Sequence, residues 1–265
     1  NLGCKVNAYE TEAMRQLLEE SGYEIVPFEP GADVYVINTC TVTNIADRKS
    51  RQMLHKARKM NPDAIVVAAG CYVETADGGV ENDPAIDIIL GNNQKNQLVS
   101  VIRDFEQKRA GKRAEEPSGA MTKKIDINHT KEYENLIIDR TENRTRADIK
   151  VQDGCNQFCT YCIIPFARGR VRSRDTQDVL QEVRALAASG CREIVLTGIH
   201  LSSYGVDLGE GMDLTALIET VHEVDGISRI RLGSLEPGIV TEKFAYTLAE
   251  LPKVCPHFHL SLQSG

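Results

Sequence analysis

Ala147-Asp-Ile-Lys-Val-Gln-Asp-Gly-Cys155-Asn-Gln-Phe-Cys159-Thr-Tyr-Cys162 runs from a strand-like stretch, through a glycine, into a loop whose thiols are spaced C-x3-C-x2-C. Residues 147–152 alternate apolar and polar, the period of a half-buried strand. A loop directly after such a strand is where α/β sheets place their ligand sites. Three thiolates on one short loop can hold three irons of a [4Fe–4S] cluster and leave the fourth iron open. An open iron is what chemistry at a cluster needs, whereas a pure electron carrier normally presents four cysteines. The bland alternatives are buried thiols or a zinc knuckle. Zinc normally takes a fourth protein ligand, and no His or Cys follows Cys162 within a useful distance.

Outward from this loop, the second half of the chain continues as a strand–helix series from near residue 144. Strands are expected at 147–152, 193–197, 228–234 and 258–262, and helices over about 175–189, 213–224 and 241–250. Ser173 and Asp175 supply the entry signal for the first helix. Four such steps make most of an open or partial (βα) barrel. The first hundred residues form another alternating series. Helices are expected over 8–21, 44–60, a stretch after Cys71, and about 93–106, with strands at 23–28, 33–38, 64–69 and 86–90. Continuous apolar strands separated by helices imply a doubly covered parallel sheet. Lys108 to Ser118 is polar and charged with no clean period, which places a linker at 108–143 between a domain at 1–107 and one at 144–265.

Three further cysteines fall in the first series. Cys40 follows Val-Tyr-Val-Ile-Asn-Thr, Cys71 follows Ile-Val-Val-Ala-Ala-Gly, and Cys4 is expected to end a strand whose earlier residues precede the sequence given. Strand ends of a parallel sheet lie along one edge, so three thiols far apart in sequence can converge there. The competing reading is three buried core cysteines. Cys191 and Cys255 match neither pattern and read as packing residues.

Composition sets the outer bounds. Hydrophobic content of 42% with 26% charged residues is ordinary for a soluble globular protein. No run of eighteen apolar residues and no secretory leader is present, so the expected location is cytoplasmic, where clustered cysteines mean metal or redox chemistry rather than disulfides. The chain opens on Asn1 and stops at Ser264-Gly265 after an apolar run, and the expectation is a piece of a longer polypeptide. A net charge of −7 disfavours a nucleic-acid binder over the whole surface but allows a local basic patch. Residues 144–174 contain seven Arg or Lys and two acids, Asp148 and Asp153. Arg168, Arg170, Arg172 and Arg174 would share one face of an extended stretch and are read as substrate-phosphate contacts. Arg48, Lys49, Arg51, Lys56, Arg58 and Lys59 on one helix read as a solvated face.

The loop after the first strand of a (βα) series resembles the radical S-adenosylmethionine (SAM) superfamily. Gly154-Cys-Asn-Gln-Phe-Cys-Thr-Tyr-Cys-Ile-Ile-Pro165 and Arg168-Gly-Arg-Val-Arg-Ser-Arg174 resemble its methylthiotransferase branch. The resemblance implies an N-terminal open parallel α/β domain with an auxiliary cluster, followed by a radical-SAM partial (βα) barrel incomplete at its C-terminus. It implies two [4Fe–4S] clusters, one on Cys155, Cys159 and Cys162 and one on Cys4, Cys40 and Cys71, with SAM as cofactor. Gly198, after Thr197, would let the SAM amino group approach the backbone, and Glu236 would meet its amino acid or ribose hydroxyls. For Glu236 the alternative is an exposed acid before Pro237. His200 and His222 are assigned nothing.

Leu2-Gly-Cys-Lys-Val-Asn7 and Asn38-Thr-Cys-Thr-Val-Thr43 resemble the MtaB-type group, which acts on N6-threonylcarbamoyladenosine beside the anticodon. That implies the tRNA anticodon loop as partner, and an electron donor such as flavodoxin or ferredoxin. The groups acting on N6-isopentenyladenosine or on a ribosomal protein aspartate differ at Lys5-Val6. A cluster-carrying electron-transfer protein is the alternative of another class, and SAM cleavage under reduction would separate it.

Overall fold

The computed structural model describes residues 1–76, 78–111, 120–141 and 145–263. They form two compact units: Asn1–Thr130 with Phe158–Gly169, and Lys131–Gln157 with Arg170–Gly265.

The first unit contains α1 (Lys5–Glu20), β1 (Val34–Thr39), α2 (Asn44–Met60), β2 (Ile65–Gly70), α3 (Cys71–Thr75), β3 (Ile88–Leu90), α4 (Leu98–Gly111), β4 (Met121–Lys123) and α5 (Ile164–Arg168). Its sheet runs β1-β2-β3-β4, with every neighbour parallel. All six residues of β2 are buried, as a strand covered on both faces requires. Alternate side chains divide between the faces. Val66 and Ala68 pack with Tyr35, Leu54 and Ala57 on the α2 side, while Ile65, Val67 and Ala69 pack with Met14, Leu18, Leu98 and Ile102. Full burial of a side chain such as Leu54 contributes roughly 1.5–3 kcal/mol. Helix α2 starts where Thr43 Oγ1 accepts from the Ala46 amide at 3.1 Å, and it carries Asp47 in its first turn and Arg58 and Lys59 in its last.

Two stretches depart from the sequence reading. Residues 23–28 form no strand: Pro27 has no donor to give a ladder, and Ile25, Val26 and Phe28 stay exposed, with Phe28 edge-on to Tyr35. Met121–Lys123, inside the stretch read as connection, pairs with β3 as the edge strand of the sheet. Three residues are too few to show a period. The rest of that stretch includes 112–119 and 142–143, which lie outside the described residues.

The second unit contains β5 (Arg146–Asp153), β6 (Arg172–Ser173), α6 (Thr176–Ala188), β7 (Glu193–Gly198), α7 (Leu214–His222), β8 (Arg229–Leu232), β9 (Ser234–Leu235), α8 (Glu242–Ala249) and β10 (His259–Leu260). Strands β5, β7 and β8 are parallel, β6 lies antiparallel beside β5, and β9 pairs with β10. This is the partial (βα) barrel expected, with each helix entered through a side-chain cap from Asp175, Asp213 or Thr241. Among the described residues no helix is long and apolar enough to cross a membrane.

Candidate cluster sites

Cys40 follows β1 and Cys71 follows β2, and the register pairs Thr39 with Gly70, so the two thiols leave neighbouring strands at one edge. Cys4 arrives differently. It is the residue before α1, and the turn that carries it is tied to β1 by the Leu2 amide donating to Asn38 O at 3.0 Å. Gly3, at φ +106°, lets this turn close in, since a Cβ there would stand 3.0 Å from Cys40 Cβ and 3.1 Å from Cys40 Sγ. Burial pushes the Cys40 thiol above its ordinary value, with smaller contributions in the same direction from Cys71 and Cys4.

Buried polar side chains surround these thiols. The Asn7 amide donates to the carbonyls of Leu2 and Thr39, both at 2.8 Å, and Cys4 Sγ lies 3.7 Å from Asn7 Oδ1. Arg168, at the end of α5, directs Nε to Cys71 Sγ at 3.2 Å and Nη2 to Asn7 Oδ1 at 2.6 Å. Glu10 grips the same guanidinium through both oxygens, at 2.6 and 3.0 Å. Lys95 Nζ stands 3.1 Å from Glu10 and donates to Asn92 Oδ1 at 2.5 Å, and Asn92 Nδ2 reaches Cys71 Sγ at 3.8 Å. Sequence reasoning missed Asn7, Glu10, Asn92 and Lys95. The available signal was Asn7 and Glu10 interleaved with Val6, Tyr9, Ala13 and Met14 on the apolar side of α1.

The other triplet is divided between the units. Cys155 follows β5 in the second unit, buried, and its sulfur accepts from the Gln157 amide at 3.5 Å. Cys159 and Cys162 belong to the first unit, and the Cys162 amide donates to Cys159 O at 2.9 Å. Phe158 holds φ +49°, rare for a bulky residue, with its ring edge-on to Phe166 at 5.9 Å.

The arginine row expected from sequence does not form. Arg168, Arg172 and Arg174 have no exposed surface, because each guanidinium turns inward to an acid from another element. Arg168 meets Glu10, Arg172 stands 3.6 Å from Asp153, and Arg174 pairs with Glu182. Arg170 alone of the four is partly exposed. Gly198 ends β7 as expected, but the space beside it is filled by Gln152, whose Oε1 would lie 2.8 Å from a Cβ there. Gln152 also accepts from the His200 amide at 2.7 Å and donates to Asp153 O and Gly154 O, bracing the chain just before Cys155. Glu236 is partly exposed. Its amide donates to Ser202 Oγ at 3.0 Å, and its carboxylate lies 4.0 Å from His200 Nε2.

Residues 1–91 match the uncharacterized protein family UPF0004, and residues 149–265 match the radical SAM superfamily. The threonylcarbamoyladenosine tRNA methylthiotransferase MtaB of Bacillus subtilis is 42% identical over 264 residues, covering 100% of this chain and 56% of that protein. MtaB of Aquifex aeolicus is 39% identical, covering 100% and 62%. The whole chain is thus similar to tRNA methylthiotransferases, and its second part matches the radical SAM superfamily. It spans little more than half the length of these relatives. The tRNA-2-methylthio-N(6)-dimethylallyladenosine synthase of Moorella thermoacetica is a more distant relative at 33% identity, covering 99% of this chain and 58% of that one. Among solved structures, the radical SAM methyltransferase TsrM from Kitasatospora setae, with cobalamin and [4Fe–4S] cluster bound, shares the fold. Its TM-score is 0.63 at 16% identity, covering 96% of this chain and 56% of that one.

The donor set at Cys71 fits a cluster ligand, since N–H groups aimed at a sulfur are what cluster thiolates accept. Among the described residues no three Cys, His, Asp or Glu side chains converge tightly enough to chelate one ion. A four-iron cluster asks for something else. Each thiolate binds a different iron, so its ligand sulfurs stand around the cluster rather than around a point.

Proposed function

We propose that this chain is the cluster-bearing part of an enzyme that transfers a methylthio group to C2 of N6-threonylcarbamoyladenosine next to the tRNA anticodon. The observation that carries this reading is the 42% identity to a threonylcarbamoyladenosine tRNA methylthiotransferase, in a chain that supplies two cysteine triplets. The dimethylallyladenosine enzyme is less similar, at 33%.

On this reading Cys155, Cys159 and Cys162 hold one [4Fe–4S] cluster and leave an iron open for SAM, and Cys4, Cys40 and Cys71 hold a second. When bound, these cofactors supply the radical that removes an unreactive ring hydrogen and the sulfur and methyl that replace it. The protein's part is placement. Gly3 and Asn7 bring Cys4 to the end of β1, and Arg168 and Asn92 fix the Cys71 sulfur. Gln152 braces the chain ahead of Cys155. Glu236, directly after β9, takes the SAM amino acid, and Arg170 contacts the RNA backbone. The reductant is a small electron carrier such as a flavodoxin or ferredoxin, and the setting is the cytoplasm.

The test is mass spectrometry of tRNA nucleosides from a host lacking the gene, with and without the gene restored. The 2-methylthio derivative of N6-threonylcarbamoyladenosine should disappear and return while that of N6-isopentenyladenosine persists. An unchanged nucleoside profile would sink the proposal.

A further inference from the structure

We infer that Arg168 is a positioning residue for the metal centre on Cys71, acting through an N–H···S hydrogen bond. The inference rests on the proposed assignment of Cys4, Cys40 and Cys71 as cluster ligands. Arg168 Nε points at Cys71 Sγ at 3.2 Å, and the remaining donors are held elsewhere. Glu10 takes Nη1 and Nη2, and Asn7 takes Nη2 as well. A planar guanidinium fixed on its far side cannot swing, so the direction of Nε is set by Glu10 and Asn7.

The contacts close into a ring. Cys71 meets Arg168, Arg168 meets Glu10, Glu10 meets Lys95, Lys95 meets Asn92, and Asn92 returns to Cys71. Glu10, Asn92, Lys95 and Arg168 are all at 0% exposure, and Cys71 is at 3%. Burying ions costs several kcal/mol each before pairing restores it, and apolar side chains of similar volume commonly serve a fold as well or better. Stability alone therefore does not account for two cations and a carboxylate in this place. A sulfur that must carry metal does, because hydrogen bonds and fixed positive charge beside a cluster sulfur favour the reduced cluster and raise its potential. Arg168 also ends the helix that follows Cys159 and Cys162, so it joins that segment to Cys71.

The test uses the full protein carrying Cys155→Ala, Cys159→Ala and Cys162→Ala, reconstituted anaerobically with iron and sulfide so that only the other triplet can hold a cluster. Its midpoint potential is read by redox titration followed by electron paramagnetic resonance, with thermal melting to confirm the fold. Arg168→Met removes the donor, and Arg168→Met with Glu10→Gln also removes the carboxylate it would strand. Both should shift the midpoint to more negative values and change the g values, or lose iron from a chain that still melts cooperatively. Arg168→Lys, which keeps the charge, should give a smaller shift in the same direction and decides the question should the Met variants fail to fold. A parent-like midpoint and spectrum in a folded, iron-loaded variant overturns the role of Arg168. A parent that takes up no four-iron cluster overturns the ligand assignment itself, and this inference with it.

Discussion

Asn7 donates from its side-chain amide to the backbone carbonyl of Thr39 at 2.8 Å, across 32 residues of sequence. Thr39 precedes Cys40 and Asn7 follows Cys4 by one turn of α1, so this bond ties two cysteine-bearing segments together. Asn7 is buried, and removing its amide strands the carbonyls of Leu2 and Thr39. Asn7→Ala should cost about 1–3 kcal/mol for each buried group left without a partner. Urea unfolding of the metal-free protein reads that loss. Iron bound by the Cys4, Cys40 and Cys71 triplet should fall in parallel. A variant with parent stability and iron content would show that the bond is incidental.

Gly70 joins β2 to Cys71 with φ +94°, and a Cβ there would stand 2.5 Å from Asn38 Oδ1 and 2.7 Å from Thr39 O. Gly70→Ala therefore meets both backbone strain, roughly 1–3 kcal/mol, and a clash with the neighbouring strand. The expected outcome is a lower melting temperature and displacement of Cys71, seen as reduced iron at that triplet. Gly78→Ala, at a positive φ but with nothing within 4 Å, is the control and should cost less. Equal effects at both positions would argue against the clash.

Arg174 and Glu182 form a fully buried pair in the second unit. Arg174→Ala should destabilise by about 3–5 kcal/mol, because Glu182 would be left as a buried charge. Arg174→Met with Glu182→Leu should recover most of that loss. Denaturant midpoints for the single and double variants decide it, and additive losses would mean that the two side chains do not act as a pair.

The cysteine pattern and the strand ends that carry it are legible in the sequence because both depend on local spacing. The apolar run of β2 and the C-x3-C-x2-C loop need no knowledge of distant residues. The arginines show where local reading stops. Arg168, Arg172 and Arg174 alternate like a solvent-facing row, yet their acids come from α1, β5 and α6, and no local period reveals that pairing. Gly198 is similar: its place at the end of β7 was readable, but the Gln152 side chain that fills the space comes from another strand. Residues 23–28 mislead in the opposite direction, since Ile25 and Val26 suit a strand that Pro27 and the lack of a ladder deny.

Glu193 offers a test by pH. Burial works against its charge, but Arg229 at 2.6 Å and Arg231 at 2.8 Å outweigh it and hold the carboxyl below the usual range. A carboxyl lowered on folding contributes stability above its unfolded value and loses it as pH falls through the folded one. Parent stability should thus decline as pH drops below the ordinary carboxylate range, and Glu193→Gln should decline less steeply over that window. Parallel stability–pH curves would show that this cluster adds nothing to acid sensitivity.

The two cysteine triplets should prove separable. Reconstituted protein should bind about eight irons per chain as two four-iron clusters. Replacing Cys155, Cys159 and Cys162 by Ala should leave about four irons and abolish reductive SAM cleavage, because the proposal assigns SAM to an open iron on that loop. Replacing Cys4, Cys40 and Cys71 should also leave about four irons, yet 5′-deoxyadenosine should still form under reduction. The methylthiolated nucleoside should not. Cys71 is held by Arg168 and Asn92, and on the proposed division of labour the loss of Cys4, Cys40 and Cys71 removes one function and spares the other. The decisive outcome is the second variant with tRNA. Continued methylthio transfer without Cys4, Cys40 and Cys71 would show that a single cluster does both jobs, and the ring around Cys71 would then need a purely structural explanation.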